Sequence, residues 1–275
     1  MKCNLCGKEN CKVLLNLDFP DMAVKNLKLV KCRSCGLVYI TPRPDTGEIQ
    51  NTYSPEYFKK FYLKKDRLKS GFFRRMLKRI ETLKNKGKIL DVGCGTGLFL
   101  QLANRHGWET AGVEIASFAA EFCRNELRLN VRTGTLAGQN FPGNSFDVVT
   151  MWDVLEHETV PRQTLAEIRR ILKPDGILML KVPDMDSPIN QTLLFYSRLK
   201  KINLVHAPNH LFHFTRSTLK RMLMVCGFST RRFWPVDDPV EWEFASVVKS
   251  FLFRWLIIIS RVLNRRDSMV LVASK

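Results

Sequence analysis

The feature that most constrains this chain is a glycine-rich segment at residues 89–100, which reads ILDVGCGTGLFL. A short apolar run with β-branched residues, 88–92, precedes the glycines, and apolar residues return at helical spacing from Leu98. The segment therefore predicts a strand, a tight turn and a helix. Glycines in such a turn allow positive φ angles and let a ligand lie against bare backbone at the start of the helix.

The spacing of the glycines indicates which ligand the turn suits. A dinucleotide-binding turn follows the pattern G-x-G-x-x-G, but here Leu98 stands in the place of the third glycine, and the actual third glycine is Gly97. Asp91 comes just before the turn, where its carboxylate would repel a pyrophosphate. The same carboxylate suits a ligand that carries an ammonium and a sulfonium group.

A second acidic residue follows about 20 residues after the glycines. Glu114 comes directly after the next predicted strand, 109–113, where its carboxylate can accept hydrogen bonds from both hydroxyls of a ribose. The sequence D-V-G-C-G-T-G at 91–97, followed by V-E at 113–114, resembles motif I and the acidic loop of class I S-adenosylmethionine-dependent methyltransferases. The resemblance implies S-adenosylmethionine as the cofactor.

The resemblance also implies which residues line the cofactor site. Relatives often carry an acid that binds the adenine amino group where this chain has Thr135, so we expect adenine to contact backbone groups and Leu136. Tyr53 and Tyr57 are lid candidates, with the alternative that they only fasten a linker to the core. The implied cofactor residues are Asp91, Gly93, Cys94, Gly95, Gly97, Glu114, Ile115, Thr135, Leu136, Trp152 and Tyr57.

Four of the eight cysteines form two C-x-x-C pairs, Cys3 with Cys6 and Cys32 with Cys35, and each pair is followed by a glycine. Paired knuckles at this separation suit four thiolates that converge on one Zn²⁺. The pattern predicts a zinc ribbon. Because so short a module has little core of its own, we expect the metal to be structural, although a ribbon can also recognise substrate.

Candidate catalytic residues follow the fourth predicted strand of the sheet, 146–151. Asp153, Glu156 and His157 come at its carboxyl end, the functional edge of an open α/β sheet, in a sequence that resembles the family's V-L-E-H segment. Helix capping is the alternative role for His157. The segment P-N-H-L-F-H-F-T at 208–215 resembles the histidine-bearing entry to the family's next helix. In relatives an insertion at this place, here 183–214, commonly covers the acceptor pocket, and within it His210 is our candidate general base. Packing against its aromatic neighbours is the alternative role for His213.

From residue 88 onward, strand and helix signals alternate, which predicts an α/β fold with a doubly wound, mostly parallel, seven-stranded, Rossmann-like sheet. We divide the chain into a zinc ribbon (1–40), a linker with an amphipathic lid helix (41–87) and a class I methyltransferase domain (88–275). The last includes a substrate-cap insertion (183–214) and an amphipathic helix (243–264).

The chain carries 44 Lys and Arg against 26 Asp and Glu, a net charge of +18. Such a balance favours a polyanionic partner: nucleic acid, an anionic membrane or a phosphorylated substrate. The stretch 243–264 holds more apolar residues than one helix face can bury, and basic residues flank it. An interfacial helix, a dimer contact and a core helix all remain open for it. The oligomeric state is open as well.

These patterns predict a methyltransferase that acts on a small-molecule or lipid- or phosphate-linked acceptor. An RNA methyltransferase is the alternative, and a non-catalytic protein that keeps the cofactor fold is disfavoured by the intact glycine loop and Glu114. We see neither a signal peptide nor a stretch of roughly 20 uncharged residues. We therefore expect a cytoplasmic protein, and peripheral contact with the inner membrane surface stays open.

Overall fold

The computed structural model describes residues 2–17, 25–43, 63–200, 203, 209–237 and 251–275. Within them the strands are β1 (Cys11–Leu17), β2 (Leu27–Cys32), β3 (Val38–Thr41), β4 (Lys88–Val92), β5 (Glu109–Glu114), β6 (Val131–Thr133), β7 (Phe146–Trp152), β8 (Leu172–Pro183), β9 (Phe212–His213), β10 (Ser229–Val236) and β11 (Ser268–Ser274). The helices are α1 (Leu63–Glu81), α2 (Leu98–Arg105), α3 (Ser117–Asn125), α4 (Pro161–Ile171), α5 (Pro188–Lys200), α6 (Arg216–Val225) and α7 (Phe251–Val262), with short 3₁₀ turns at Ala137–Gln139 and Leu155–His157.

Seven strands form the central sheet in the order β10-β11-β8-β7-β4-β5-β6. The neighbours from β6 to β8 run parallel, whereas β11 is antiparallel to both β8 and β10. The predicted doubly wound, mostly parallel sheet is therefore confirmed. The chain leaves β4 towards β5 on one side and later returns to pair β7 on the other, so the carboxyl ends of β4 and β7 flank a crevice where ligands bind in such sheets.

The central strands are buried because helices cover both faces of the sheet. Strand β11 reads SMVLVAS and is buried along its whole length, as expected of an inner strand. On one face α1 and α2 pack through Phe72, Phe73, Phe99 and neighbouring apolar residues. On the other face α4 and α6 contribute to the largest core cluster. This packing holds the loops at the carboxyl edge in fixed positions.

A second, antiparallel sheet has the order β1-β2-β3-β9. Strand β9 comes from the far side of the sequence and pairs with β3 through Tyr39 opposite Phe212 and Val38 opposite His213. Cys3, Tyr39 and Phe212 belong to the same buried cluster as the central strands. The N-terminal residues therefore share a sheet and a core with the rest of the protein.

Two segments differ from what the sequence patterns predict. Residues 183–214 show little regular patterning, yet they contain α5 and β9. The patterning fails because α5 carries apolar residues on two faces, with Ile189 and Leu194 buried and Phe195 and Leu199 exposed. Residues 173–176 read KPDG, a sequence typical of a turn, yet they are part of β8, at an irregularity in the pairing with β7. Over the residues that the structure describes, no helix has the length and apolarity that crossing a membrane requires.

Candidate functional site

The glycine turn lies between β4 and α2, and its three glycines have φ angles of 70°, 53° and 75°. At residue 93 a Cβ atom would lie 2.5 Å from Cγ2 of Val154, so a side chain there would meet both strain and a clash. The N–H of Gly93 donates to the carbonyl of Val113 at 2.8 Å, which ties the turn to β5. The result is a firmly held turn at the start of α2, in which Gly93 and Gly95 are partly accessible and residues 94, 96 and 97 are buried.

Glu114 holds the turn from the neighbouring strand. Its carboxylate accepts a hydrogen bond from the N–H of Gly95 at 2.8 Å and another from the N–H of Ala116 at 3.0 Å. Burial raises the pKa of Glu114, and these backbone donors oppose that rise. Each carboxylate oxygen has a second lone pair, so the group can still accept bonds from ligand hydroxyls.

Asp91 is the penultimate residue of β4, just before the turn, and is only 1% exposed. The hydroxyl of Thr150 donates to its Oδ1 at 2.6 Å. Burial raises the pKa of Asp91 to about 8, against the lowering effect of the Thr150 hydrogen bond, with Glu114 raising it further and Lys69 lowering it. A cationic ligand group would favour the charged carboxylate here. Asp91 is therefore suited to an ammonium or sulfonium ligand.

The carboxyl end of β7 carries a cluster of charges that the sequence patterns did not reveal. Asp153, whose φ is 58°, accepts two hydrogen bonds from Nζ of Lys181, at 2.7 and 2.9 Å. Nζ of Lys69, from α1, lies 3.8 Å from Oδ2 of Asp153. A lysine within the otherwise apolar strand I-L-M-L-K-V is the signal that could have identified Lys181. The predicted catalytic residue Asp153 thus takes part in a largely buried ion pair.

Two histidines come together at the start of the next loop. Nδ1 of His157 lies 2.7 Å from the carbonyl oxygen of Asn209, and the ring of His210 packs edge-on against that of His157, with centroids 4.8 Å apart. Potential ligand atoms of Glu156, His157 and His210 all lie within 4.8 Å of one another. His213 is buried, and its ring centroid lies 6.2 Å from that of His210. The structure therefore brings three of the predicted catalytic residues together, and their roles remain predictions.

The loops after β5 and β6 hold the residues expected around adenine. Ile115 is half-buried, whereas the Leu136 side chain is buried beside the exposed Thr135. The carbonyl of Thr135 accepts a hydrogen bond from Nε2 of Gln139 at 3.1 Å. Cys94 is buried within the turn. A predicted adenine contact through backbone groups and Leu136 is compatible with this arrangement.

Trp152, the last residue of β7, packs among Phe72, Phe73 and Phe99, with ring centroids 5.2 to 5.8 Å away. It is therefore a core residue between α1 and α2, and its contact with the cofactor remains a prediction. The lid candidates Tyr53 and Tyr57 lie outside the described residues.

The four knuckle cysteines converge at the N-terminus. Sγ of Cys3 lies 3.5 Å from that of Cys35, and Sγ of Cys6 lies 3.6 Å from that of Cys32. A tetrahedral Zn²⁺ with bonds of about 2.3 Å sets its thiolates about 3.8 Å apart, close to these distances. Burial raises the pKa of Cys32, but the N–H groups of Cys35 and Ser34 outweigh it and lower the pKa to about 7. The donor set fits a thiolate-bound metal.

The cysteine cluster is linked to the histidine loop. Nδ2 of Asn4, within the first knuckle, donates to the carbonyl of Thr159 at 3.4 Å. The N–H of Leu211 donates to the carbonyl of Glu156 at 2.8 Å, and the N–H of Ile40 donates to the carbonyl of Leu211 at 2.9 Å. Backbone hydrogen bonds thus connect β3, the segment before β9 and the Glu156–His157 loop.

Comparison with curated proteins identifies distant relatives. The chain is 30% identical over 162 residues to the mitochondrial ubiquinone biosynthesis O-methyltransferase of Schizosaccharomyces pombe, covering 55% of this chain and 56% of the relative. It is 32% identical over 121 residues to the ubiquinone biosynthesis O-methyltransferase of Actinobacillus pleuropneumoniae, covering 40% of this chain and 48% of the relative. The chain thus spans about half the length of these relatives.

Solved structures share the fold. A SAM-dependent methyltransferase from Archaeoglobus fulgidus superposes with a TM-score of 0.56 and 21% identity, covering 78% of this chain and 99% of that one. A family model described as a methyltransferase domain matches residues 64–232, from α1 to the middle of β10. That match covers well over half of the chain and contains both the glycine turn and the histidine pair. The chain belongs to this methyltransferase domain family.

Proposed function

We propose that the protein transfers a methyl group from S-adenosylmethionine to a small-molecule acceptor. The observation that carries this proposal is the pair of buried carboxylates, Asp91 and Glu114, at the carboxyl ends of the adjacent strands β4 and β5 on either side of a bare glycine turn. The charged form of either group would repel a phosphate ligand. A ligand with a positively charged amino acid part and a ribose satisfies both.

Each of these residues has a distinct task in the proposed site. The backbone of residues 93–97 lies against the ligand, and Glu114 accepts hydrogen bonds from ribose hydroxyls. Asp91 loses its proton when a cation binds, so its negative charge forms next to the positively charged group of the ligand. Lys69 and Lys181 hold Asp153 at the crevice. The cofactor, when bound, supplies an activated methyl group, and the protein mainly has to align an acceptor atom with it.

The histidine pair supports an acceptor that is a hydroxyl group. Because Nδ1 of His157 faces the carbonyl of Asn209, this nitrogen carries the hydrogen, and Nε2 is the ring nitrogen that can accept a proton. The adjacent His210 is our candidate for the base that removes the acceptor proton. The relatives named O-methyltransferases support oxygen as the nucleophile.

We further propose that Cys3, Cys6, Cys32 and Cys35 bind one structural Zn²⁺. The close approach of the four sulfur atoms and the amide donors around Cys32 support this assignment. Bound zinc would hold the knuckles in place and, through Asn4 and β3, stabilise the histidine loop. The metal therefore supports the acceptor side without taking part in the reaction.

The function can be tested by supplying methyl-labelled cofactor together with fractionated small-metabolite, lipid and RNA pools. We expect label in a small-molecule or lipid pool, and label confined to RNA would instead support an RNA methyltransferase. The matched variants are Glu114→Ala and Glu109→Ala, the latter an exposed acid at the start of the same strand. Loss of the ribose contacts should weaken cofactor binding in calorimetry by about 10- to 100-fold for Glu114→Ala only. Equal affinities would contradict the assignment.

A further inference from the structure

Helices α5 and α7 are in contact, and together they present an apolar surface to solvent. On α7 and the residue after it, the exposed side chains are Trp255, Ile258, Ile259, Val262 and Leu263, with exposed fractions of 42% to 79%. On α5 the exposed side chains are Phe195, Tyr196 and Leu199. We call these eight residues the α5–α7 surface.

On α7, the apolar stripe that an amphipathic helix normally buries is exposed to solvent. The exposed residues of α7 recur at i, i+3, i+4, i+7 and i+8, the spacing that normally marks a buried face. In contrast, the polar Ser260 lies between them and is 1% exposed. Monomeric soluble proteins rarely leave so many large apolar side chains together in water. Such a stripe is typical of a surface that contacts a partner.

The two helices themselves carry charge of one sign. Residues 188–200 and 251–266 contain six basic residues and no acidic residue. Arg198, Lys200, Arg261 and Arg265 are exposed. Arg261 and Arg265 approach Asp237 and Asp186 at 3.4 and 3.7 Å, distances at which exposed pairs contribute little and can exchange for other anions. The surface thus suits a partner that is both apolar and anionic.

We propose that the α5–α7 surface docks the protein on an anionic lipid bilayer. Aliphatic side chains can enter the acyl region, Trp255 and Tyr196 suit the headgroup level, and the basic side chains reach the lipid phosphates. A nucleic acid would use the basic residues but leave the stripe of isoleucine, valine and leucine in water. The combination therefore favours lipid over RNA.

The position of α5 and α7 in the fold determines where docking would place the crevice. Helix α5 follows the carboxyl end of β8, and α7 leads into β11, whose first residue Ser268 pairs with Pro183 at that same end. The surface therefore lies at the edge of the sheet that carries the glycine turn and the histidine pair. Docking would hold the crevice close to the membrane surface, where amphiphilic molecules concentrate.

Vesicle flotation of the full chain tests the proposal directly. The probes are phosphatidylcholine vesicles with and without about 30% phosphatidylglycerol, at low and high salt. We expect flotation with the acidic lipid only and release by salt. Arg198→Gln with Lys200→Gln should weaken partition by about fivefold per lost charge. Trp255→Ser with Ile258→Ser should weaken it at least as much, because the apolar insertion is lost.

Matched controls lie on α6, where Met224 and Val225 are exposed apolar residues and Lys220 and Arg221 are exposed bases. Met224→Ser with Val225→Ser, and Lys220→Gln with Arg221→Gln, should float like the unmodified protein. Thermal melts of every variant show whether the fold is intact, and because they need no cofactor they keep this test separate from the proposed function. Absence of flotation, or equal loss in the controls, overturns the proposal. A concentration-dependent dimer that the Trp255 variant abolishes, without flotation, assigns the surface to a second copy instead.

Discussion

The two sides of the crevice are built in different ways. The cofactor side consists of the glycine turn, Asp91 and Glu114, which come from two adjacent strands and 24 consecutive residues, 91–114. The acceptor side consists of His157, His210 and the segment before β9, supported by β3 and the cysteine cluster. The first is made mostly of backbone and buried carboxylates. The second depends on segments far apart in the chain.

Because of this difference, residues on the acceptor side can change while the cofactor side stays the same. Several independent features hold the short turn on the cofactor side. They are the φ angles of the glycines, the Gly93–Val113 hydrogen bond and the contacts of Glu114. The acceptor side is held by a few hydrogen bonds between elements, such as those from Leu211 to Glu156 and from Ile40 to Leu211. Changes in the N-terminal sheet should therefore alter catalysis while leaving cofactor binding intact.

The largest expected effect is on methyl transfer and comes from His210, on the acceptor side of the crevice. Changing His210 to Ala removes the proposed base, so incorporation of labelled methyl into the accepting pool should fall by roughly 10²- to 10⁴-fold. Cofactor affinity measured by calorimetry should stay the same, because His210 lies on the acceptor side. His106→Ala is the control, since His106 is an exposed residue after α2 that pairs with Glu81. Unchanged incorporation in the His210 variant would give that histidine a structural role.

A smaller effect on the same side should follow from loss of the metal. Changing Cys32 to Ser removes one thiolate, so the zinc content found by metal analysis should fall from one per chain towards none. Because the first knuckle and β3 contact the histidine loop, incorporation should fall about tenfold, as when an outer support of a site is lost. Cofactor affinity should change little.

Cys11→Ser is the matched control, since Cys11 is exposed and lies outside both knuckles. Zinc loss with full incorporation would mean that the cysteine cluster only caps the N-terminus. A purified protein that holds no zinc, with normal incorporation, would remove the metal proposal altogether.

The same contrast explains what the sequence could predict. The glycine turn, Asp91, Glu114, the seven-stranded sheet and the paired cysteines follow from local patterns, because each has a short, specific spacing. Lys69, the pairing of β9 with β3 and the outward stripe of α7 do not, because each depends on which distant element packs beside it. Sequence patterns do not predict helix α5, because the N-terminal sheet, and not the periodicity of the helix, determines which of its faces is buried.

The last expected effect concerns Asp91, acts on stability and not on methyl transfer, and has a definite sign with pH. In an unfolded chain an aspartate has a pKa of about 4. Burial raises the pKa of Asp91 to about 8, so between these values the cofactor-free folded protein holds a proton that the unfolded chain has lost. The free energy of unfolding must therefore decrease as pH rises from about 4 to about 8 through this group. Asp91→Asn removes this dependence and keeps an oxygen that can accept the Thr150 hydrogen bond.

We accordingly expect Asp91→Asn to stabilise the cofactor-free protein by about 1–3 kcal/mol at pH 8 and to have no effect near pH 4. Saturating cofactor should reverse the order, because only the aspartate gains from a cationic ligand. Asp147→Asn is the control of opposite sign: burial of Asp147 is outweighed by the hydrogen bond from Lys173, so its pKa is lowered and its charged form stabilises the fold at neutral pH. Thermal melts at several pH values, with and without cofactor, measure both. If Asp91→Asn is instead destabilised at pH 8 without cofactor, the carboxylate already has a favourable partner in the folded protein. Asp91 would then be a structural acid of the core and not part of a site for a cationic ligand.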